Sequence, residues 1–278
     1  MLTRADTFTA AVNGTSLRVR LDGPAGAPWL VLSNSLATDL RMWNQQVDAL
    51  KDRFRILRYD QRGHGGSAPP PAGTDFCALT ADLVALLDHV GVETAVLVGV
   101  SMGAVTVLRC AAVAPSRCRA VVACDGQWTA PPTAMAAWGE RIALAETSGM
   151  AALVEPTVSR WFLPDFPLRQ PANAALVAEM IAATPVTGYV GCARALQSYD
   201  FRADYPGLTV PVHYVVGEKD GLLPSVMAEM ARVTPGSRFV TVPAAGHLPN
   251  LERPDEYQAV LDAILSGLPT AAPVRTEI

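Results

Sequence analysis

The stretch Thr94-Ala-Val-Leu-Val-Gly-Val-Ser-Met-Gly-Ala104 decides the fold of this chain. Its first half is an apolar, Val-rich run that predicts a buried strand, and the segment Ala104–Val113 predicts a helix. Between them lies Gly99-Val-Ser-Met-Gly103, a G-x-S-x-G pattern. In the order strand, turn, helix, this pattern indicates a nucleophilic serine held on a sharp, strained turn.

The two glycines and the helix suit that interpretation. A Cβ atom two positions before or after Ser101 would clash with the closely packed backbone of such a turn. The helix that follows directs its positive end and its first N–H groups at Ser101, and these groups lack partners within the helix. The alternative is a chance match in an ordinary loop, which the flanking strand and helix disfavour.

Apolar strand patterns alternate with helical patterns on both sides of the turn. Asn13-Gly14 between two alternating runs predicts a hairpin over about residues 7–21. Further strands are predicted at Trp29–Ser33, Arg55–Tyr59, Ala95–Val100, Cys118–Cys124, Val210–Val216 and Arg238–Val242. Helices are predicted at Leu40–Leu50, Phe76–Val90, Ala104–Val113, Pro224–Val233 and Pro254–Leu265. This alternation predicts an α/β fold with a mostly parallel, twisted sheet flanked by helices.

The alternation stops between about Gln127 and Tyr205. That part has no strand-like run, and prolines separate its helical patterns at Met135–Thr147, Met150–Trp161, Ala172–Ala183 and Gly188–Tyr199. We therefore predict one core made of residues 1–126 and 206–268, with a helical cap inserted at 127–205. Residues 269–278 have little to bury and are predicted to form a flexible tail.

Composition excludes several classes of protein. The chain has 278 residues, of which 50% are hydrophobic, and a net charge of −4. It can bury a large core, and it lacks the basic tracts of a nucleic-acid-binding protein. Its five scattered cysteines, without a C-x-x-C pair, indicate buried thiols in a reducing compartment. With no apolar signal segment and no bilayer-length run, we expect a cytoplasmic protein without a membrane partner, and homo-oligomerisation stays open.

A serine nucleophile needs a base, and the chain has only four histidines. His247, in Ala244-Ala-Gly-His-Leu-Pro249, follows a predicted strand, and sites assemble at the carboxyl ends of such strands. We predict that it is the base for Ser101. Asp220, in a Gly-flanked turn after another strand, is the predicted acid that orients His247, and Glu218 is its rival in the same loop.

The other histidines are expected to have structural roles. His64 lies in a Gly-rich turn after a strand and is predicted to stabilise that turn. His89 falls late in a helix and is predicted at the surface, whereas His213 is predicted to pack within a strand.

An oxyanion formed at Ser101 needs two N–H donors. The backbone of Met102, directly after the nucleophile, is the first predicted donor. The second is predicted at Leu36, in the loop after the strand that ends near Ser33.

These residues resemble those of the α/β-hydrolases, in which the triad follows the chain order Ser, Asp, His. More narrowly, the chain is similar to bacterial 3-oxoadipate enol-lactonases. The narrower match is carried by Leu32-Ser-Asn-Ser-Leu-Ala-Thr-Asp-Leu-Arg-Met-Trp43, Leu57-Arg-Tyr-Asp-Gln-Arg-Gly-His-Gly65, Ser159-Arg-Trp-Phe162 and Gly188-Tyr189. One stretch departs from it: Ala123-Cys-Asp-Gly-Gln-Trp-Thr129 stands where the lactonases usually have an Asn-Thr-Ala-like segment.

The resemblance implies that a lactone or ester is opened through an acyl-enzyme on Ser101, without a metal or organic cofactor. The lactone of the resembled family carries a carboxylate, so a cation should face the substrate pocket. The candidates are Arg41, Arg141 and Arg160. The tryptophans expected to wall the pocket or to pack the cap are Trp128, Trp138 and Trp161.

Other functions remain open on the same residues. A carboxylesterase, a hydrolase of another lactone and a cofactor-free perhydrolase would all use this triad. A haloalkane dehalogenase is disfavoured because its nucleophile is Asp, whereas the turn here carries Ser101. A non-catalytic ligand receptor on a hydrolase fold is the least expected alternative, because all three members of the triad are present.

Overall fold

A computed structural model of the chain describes residues 6–70 and 73–268. Eight strands form one sheet: β1 (Asp6–Val12), β2 (Thr15–Asp22), β3 (Trp29–Ser33), β4 (Arg55–Tyr59), β5 (Ala95–Val100), β6 (Cys118–Cys124), β7 (Val212–Gly217) and β8 (Arg238–Val242). Their order across the sheet is β1-β2-β4-β3-β5-β6-β7-β8. Strand β2 pairs antiparallel with β1 and β4, and all neighbours from β4 to β8 are parallel. The predicted fold class is confirmed.

The helices are α1 (Asn44–Leu50), α2 (Phe76–Val90), α3 (Met102–Val113), α4 (Ala134–Ser148), α5 (Val154–Trp161), α6 (Phe166–Arg169), α7 (Pro171–Ala183), α8 (Val186–Gln197), α9 (Leu223–Val233), α10 (Pro249–Glu252) and α11 (Pro254–Ser266). Short 3₁₀ helices lie at Leu40–Trp43, Pro115–Arg117, Met150–Leu153 and Tyr205–Gly207.

Two helix predictions were too long. The helix predicted at Leu40–Leu50 begins as the 3₁₀ turn Leu40–Trp43. The Asp39 side chain caps the start of this turn by accepting the Arg41 N–H at 2.9 Å. The helix predicted from Met150 likewise begins with a 3₁₀ turn. Helices α6 and α10 were not predicted, since four residues are too few to show a helical period.

The central strands are buried on both faces, which explains their continuous apolar sequences. Along β5, Val96, Val98 and Val100 join one apolar cluster, and Ala95 and Leu97 join the other. Successive side chains of a strand point to opposite faces, so helices must cover both sides of this sheet. The carboxyl ends of the parallel strands therefore share one edge, where their loops can meet.

The turn after β5 has a strained backbone. Ser101 has φ 57° and ψ −117°, a region that residues with a Cβ rarely adopt. A Cβ on Gly99 would lie 2.2 Å from the carbonyl oxygen of Gly103, and one on Gly103 would lie 2.2 Å from that of Ser33. Only glycine fits at these two positions, because the obstructing atoms are backbone.

Helices α4–α8 lie between β6 and β7. The ends of this helical segment run side by side, since Thr129 and Asp200 form an isolated antiparallel bridge and the Phe201 N–H donates to the Trp128 carbonyl. The division into core and cap remains a prediction. The predicted tail, residues 269–278, lies outside the described residues.

Four of the five cysteines are buried, but Cys77 is exposed on the outer face of α2, so the prediction of buried thiols is wrong there. Within residues 6–70 and 73–268, no single helix is both long and apolar enough to cross a bilayer; the bent pair α7 and α8 meets the length and composition criteria only jointly. The cytoplasmic location stays a prediction.

The variant Gly103→Ala should lower the free energy of unfolding by roughly 1–3 kcal/mol, because the added methyl group meets a carbonyl that cannot rotate away. Urea titration measures this change. Gly139→Ala in α4 is the matched control: its Cβ meets only Gln197 Nε2 at 3.9 Å, so it should stabilise by roughly 0.5–1 kcal/mol. Equal effects of the two variants would contradict the close approach at Gly103.

Candidate active site

Ser101, His247 and Asp220 meet at the carboxyl edge of the sheet. His247 Nε2 lies 2.9 Å from Ser101 Oγ, and His247 Nδ1 lies 2.7 Å from Asp220 Oδ2. Both distances are those of hydrogen bonds. The rival Glu218 points elsewhere, since its carboxylate accepts the Ala244 N–H at 2.9 Å. The three predicted triad residues thus form one hydrogen-bonded chain, although they lie on loops after β5, β7 and β8.

Contacts with the end of α5 hold the His247 loop. The His247 N–H donates to the Trp161 carbonyl at 2.7 Å, and a Cβ on Gly246 would lie 2.3 Å from the same oxygen. The Glu252 carboxylate accepts the Gly246 N–H at 2.6 Å and the Leu163 N–H at 2.7 Å. Burial raises the pKa of Glu252, and these two N–H donors oppose that shift. The loop that carries the histidine is therefore joined to the helical segment.

Two backbone N–H groups are free to bind an oxyanion. Within the described part of the chain, neither the Leu36 N–H nor the Met102 N–H donates to a protein group. Met102 is the first residue of α3, where an N–H has no partner inside the helix. Leu36 lines the same pocket as Ser101. Both predicted donors are thus available next to the serine.

His64 ties the Leu36 loop to the turn after β4. Its Nε2 accepts the Ala37 N–H at 2.9 Å, and its Nδ1 lies 3.1 Å from the Arg62 carbonyl, to which it donates. The ring must be neutral to accept at Nε2. Burial lowers the pKa of His64 to about 4, which keeps the ring neutral at ordinary pH. His64 therefore orients the loop that carries the Leu36 N–H.

A pocket of about 460 Å³ opens beside Ser101, a size that suits a small molecule. Four of the six predicted pocket residues line it: Trp138, Arg141, Arg160 and Trp161. The apolar part of the wall also includes Val105, Leu196, Tyr199, Leu223 and Val226. Among the residues described, no three His, Cys, Asp or Glu side chains are grouped to hold a metal ion.

Arg141 and Arg160 face each other in this pocket without a carboxylate partner. In the described residues, neither guanidinium forms an ion pair or a hydrogen bond. Arg141 lies over the ring of Trp138 at 4.6 Å. Burial lowers the pKa of both arginines, and the charge of Arg141 contributes to lowering that of Arg160 to about 10. This pair of cations is suited to receive an anionic group.

The pocket prediction is wrong for Arg41, and for Trp128 the alternative of packing holds in place of the pocket wall. Arg41 lies outside the pocket and pairs with Asp39 at 2.8 Å and with Glu179 at 2.7 Å. Trp128 also lies outside it and packs edge-on against Tyr205, with 5.7 Å between the ring centroids. Arg41 is held between Asp39, two residues before it in the sequence, and Glu179 on α7, and only the second of these contacts depends on a distant segment.

Asp125 lines the pocket but was not among the predicted site residues. It follows β6 directly, has φ 48°, lines the pocket, and its Oδ1 accepts the Gly217 N–H at 2.8 Å. An acid at the carboxyl end of a sheet strand was the signal that could have indicated it.

A family model for the alpha/beta hydrolase fold matches residues 28–254, and the chain belongs to that family. It is therefore a hydrolase. 3-Oxoadipate enol-lactonase 1 of Acinetobacter baylyi is 31% identical over 92% of this chain and 95% of the relative, and enol-lactonase 2 of that organism is 30% identical over 94% and 96%. The enol-lactonase structure from Burkholderia xenovorans LB400 superposes with a TM-score of 0.89 at 37% identity, covering 93% of this chain and 100% of the other. The resemblance inferred from the motifs is confirmed.

The variant His64→Gln should flatten the pH dependence of stability between about pH 6.5 and pH 4. In the wild type the unfolded chain takes up the His64 proton first, because the pKa is lower in the folded state, so stability falls as the pH falls through this window. The loss from this one group should be about 3 kcal/mol. Urea titrations across this range measure it.

His89→Gln is the matched control, because it makes the same substitution at a histidine that is exposed on α2. If the stability of His64→Gln depended on pH as steeply as that of the wild type and of His89→Gln, the role of His64 as a neutral acceptor would be wrong.

Proposed function

We propose that this hydrolase opens a lactone, of the 3-oxoadipate enol-lactone type, or a related carboxylic ester through an acyl-enzyme on Ser101. The observation that carries the proposal is the hydrogen-bonded chain from Asp220 through His247 to Ser101, which ends in a pocket beside two free N–H groups. A serine, a base and an orienting acid in this arrangement are the elements of acyl transfer.

In the first half-reaction, Ser101 Oγ gives its proton to His247 Nε2 and attacks the carbonyl carbon of the substrate. The carbonyl electrons move onto oxygen, and the N–H groups of Leu36 and Met102 stabilise the oxyanion, by roughly 3 kcal/mol per donor. The Asp220 carboxylate stabilises the imidazolium form of His247. Collapse of the intermediate breaks the ring C–O bond. The enolate oxygen that leaves takes the proton from the His247 imidazolium, which returns the imidazole to its neutral form, and the resulting enol tautomerises to a ketone.

In the second half-reaction, His247 removes a proton from water as the water oxygen attacks the acyl carbon. The bond between that carbon and Ser101 Oγ then breaks, and Oγ recovers its proton from the imidazolium. The product is a free carboxylic acid. No step of this cycle calls for a cofactor.

Residues 127–205 serve in this proposal as a cap that selects the substrate. The cap helices α4 and α5 supply Trp138, Arg141, Arg160 and Trp161 to the pocket wall. Apolar walls exclude water from the acyl-enzyme. The two unpaired guanidinium groups would bind a carboxylate carried by the lactone, which favours an anionic substrate over a neutral ester.

A carboxylesterase, a hydrolase of another lactone and a perhydrolase would use the same triad, and a non-catalytic receptor would use the same pocket. The cations at Arg141 and Arg160 favour a lactone substrate that carries a carboxylate over these alternatives. Assays on enol-lactones, saturated lactones and aryl esters, together with an assay of peracid formation, distinguish these enzymes from one another.

The variant Ser101→Ala should lose at least about a thousandfold in kcat on both enol-lactones and aryl esters, because among the described residues no other hydroxyl or thiol forms a hydrogen bond with His247. Single-turnover assays, with mass spectrometry of the acyl-enzyme, measure this loss. Ser266→Ala, at an exposed position near the end of α11, is the control and should match the wild type. Retained turnover or acylation in Ser101→Ala would refute the mechanism.

The variant Arg160→Met keeps an unbranched apolar stem but removes the guanidinium and its charge. On 3-oxoadipate enol-lactone, kcat/KM should fall roughly 10- to 100-fold, mainly through KM, because a charged hydrogen bond to the substrate is lost. On a neutral aryl acetate it should change by no more than about twofold.

Arg194→Met is the matched control, because Arg194 is exposed on α8 and does not line the pocket. An equal loss of kcat/KM on both substrates in Arg160→Met would show that Arg160 does not bind the carboxylate of the substrate.

A further inference from the structure

Asp125 is a buried acid that the mechanism does not yet use. Only 1% of its surface is exposed. Its Oδ1 accepts the Gly217 N–H at 2.8 Å, whereas its Oδ2 is buried and has no hydrogen-bond partner among the described residues. A buried polar atom without a partner costs free energy, so this oxygen needs an explanation.

A close neighbour of the Asp125 side chain is Asp220. The side chains of Asp125 and Asp220 are within hydrogen-bonding reach of each other, and Asp220 is bonded on Oδ2 to His247. Two ionised carboxylates in contact repel, and neither can donate a hydrogen bond. A single proton held between them would remove the repulsion and give the buried oxygen a partner.

The groups around Asp125 favour that proton. Besides Asp220 they are the Glu252 carboxylate on α10, the adjoining Cys124 thiol and the Tyr257 phenol on α11. The described groups that act on Asp125 include no cation. Burial, and next the charge of Asp220, raises the pKa of Asp125 well above its ordinary value, while the Gly217 N–H opposes the shift only in part.

We propose that Asp125 is a positioning residue that stays protonated at neutral pH, and that its carboxyl O–H donates a hydrogen bond to the Asp220 carboxylate and so aims it at His247. The proposal rests on the proposed function, because Asp220 matters only if His247 is the base. The proton belongs to Asp125, because Asp125 is the more deeply buried acid and Asp220 is already bonded to the imidazole.

The isosteric variant Asp125→Asn separates charge from hydrogen bonding. Its amide N–H₂ can donate to Asp220 and its oxygen can accept the Gly217 N–H, so both contacts survive without a proton. We expect its kcat to stay within about twofold of wild type and the acid limb of its kcat/KM profile to be unmoved, because no charge was lost near His247. The wild type should lose activity at alkaline pH as Asp125 ionises beside Asp220, and the variant should not.

Asp125→Leu removes the donor and should lower kcat roughly 10- to 100-fold, the usual size of an effect on a supporting hydrogen bond. The return of activity in Asp125→Asn separates this loss from a general packing defect. Wild-type kcat in Asp125→Leu would overturn the proposal. So would an acid limb in Asp125→Asn that lies about one pH unit below that of the wild type, because it would show that Asp125 is ionised in the native protein.

A measurement without turnover keeps this test apart from that of the proposed function. The folded state holds a proton that the unfolded chain releases above about pH 4, so the wild type loses stability relative to Asp125→Asn as the pH rises. Urea titrations from pH 4 to pH 8 should show this widening difference whether or not Ser101 is the nucleophile. A difference that is constant with pH would overturn the proposal, and retained turnover in Ser101→Ala would instead refute the mechanism alone.

Discussion

The strained backbone of Ser101 is the constraint on which the site depends. A residue held in this region of φ and ψ costs roughly 1–3 kcal/mol. Two contacts hold the turn in this conformation and offset that cost. The Ser101 N–H donates to the Cys124 carbonyl at 2.8 Å. Helix α3 also packs so closely that Gly103 lies against the Ser33 backbone. Because β5, β6 and α3 are buried, relaxing the turn would open the core. The serine hydroxyl is therefore presented to the pocket, next to the first N–H of α3.

A second constraint comes from buried polar side chains behind the Leu36 loop. Asn34 accepts a hydrogen bond from the Trp43 indole at 2.9 Å and donates to the Tyr59 carbonyl at 2.8 Å, and Gln61 donates to the Asn34 carbonyl at 2.7 Å. The Asp60 carboxylate accepts two hydrogen bonds, one from a backbone N–H that precedes it in the sequence and one from a backbone N–H that follows it. In a low-dielectric interior such a network is costly to break. The direction of the Leu36 N–H is thus set by residues that do not line the pocket beside Ser101.

The histidine and the pocket wall are coupled through one carbonyl. The Trp161 oxygen accepts the His247 N–H, and Arg160, the neighbour of Trp161 on α5, faces the pocket. Glu252 strengthens this junction by accepting N–H groups from both the His247 loop and the chain after α5. A displacement of α5 would move His247 and the Arg160 guanidinium together. The orientation of His247 and the position of Arg160 in the pocket wall are therefore properties of one packed unit.

The amino-acid sequence by itself determined the sheet, the sharp turn at Ser101 and the three side chains that form the hydrogen-bonded chain. These features have local causes: apolar periodicity defines strands and helices, and only glycine fits beside the turn. Tertiary structure alone decided that Arg41 pairs with Glu179 on a distant helix, while Arg141 and Arg160 line the pocket and have no carboxylate partner in the part of the chain that the structure describes. It also decided that Asp125 lies against Asp220. The physical reason is that the direction of a side chain, and the charge that it meets, depend on segments far away in sequence, which no local pattern encodes.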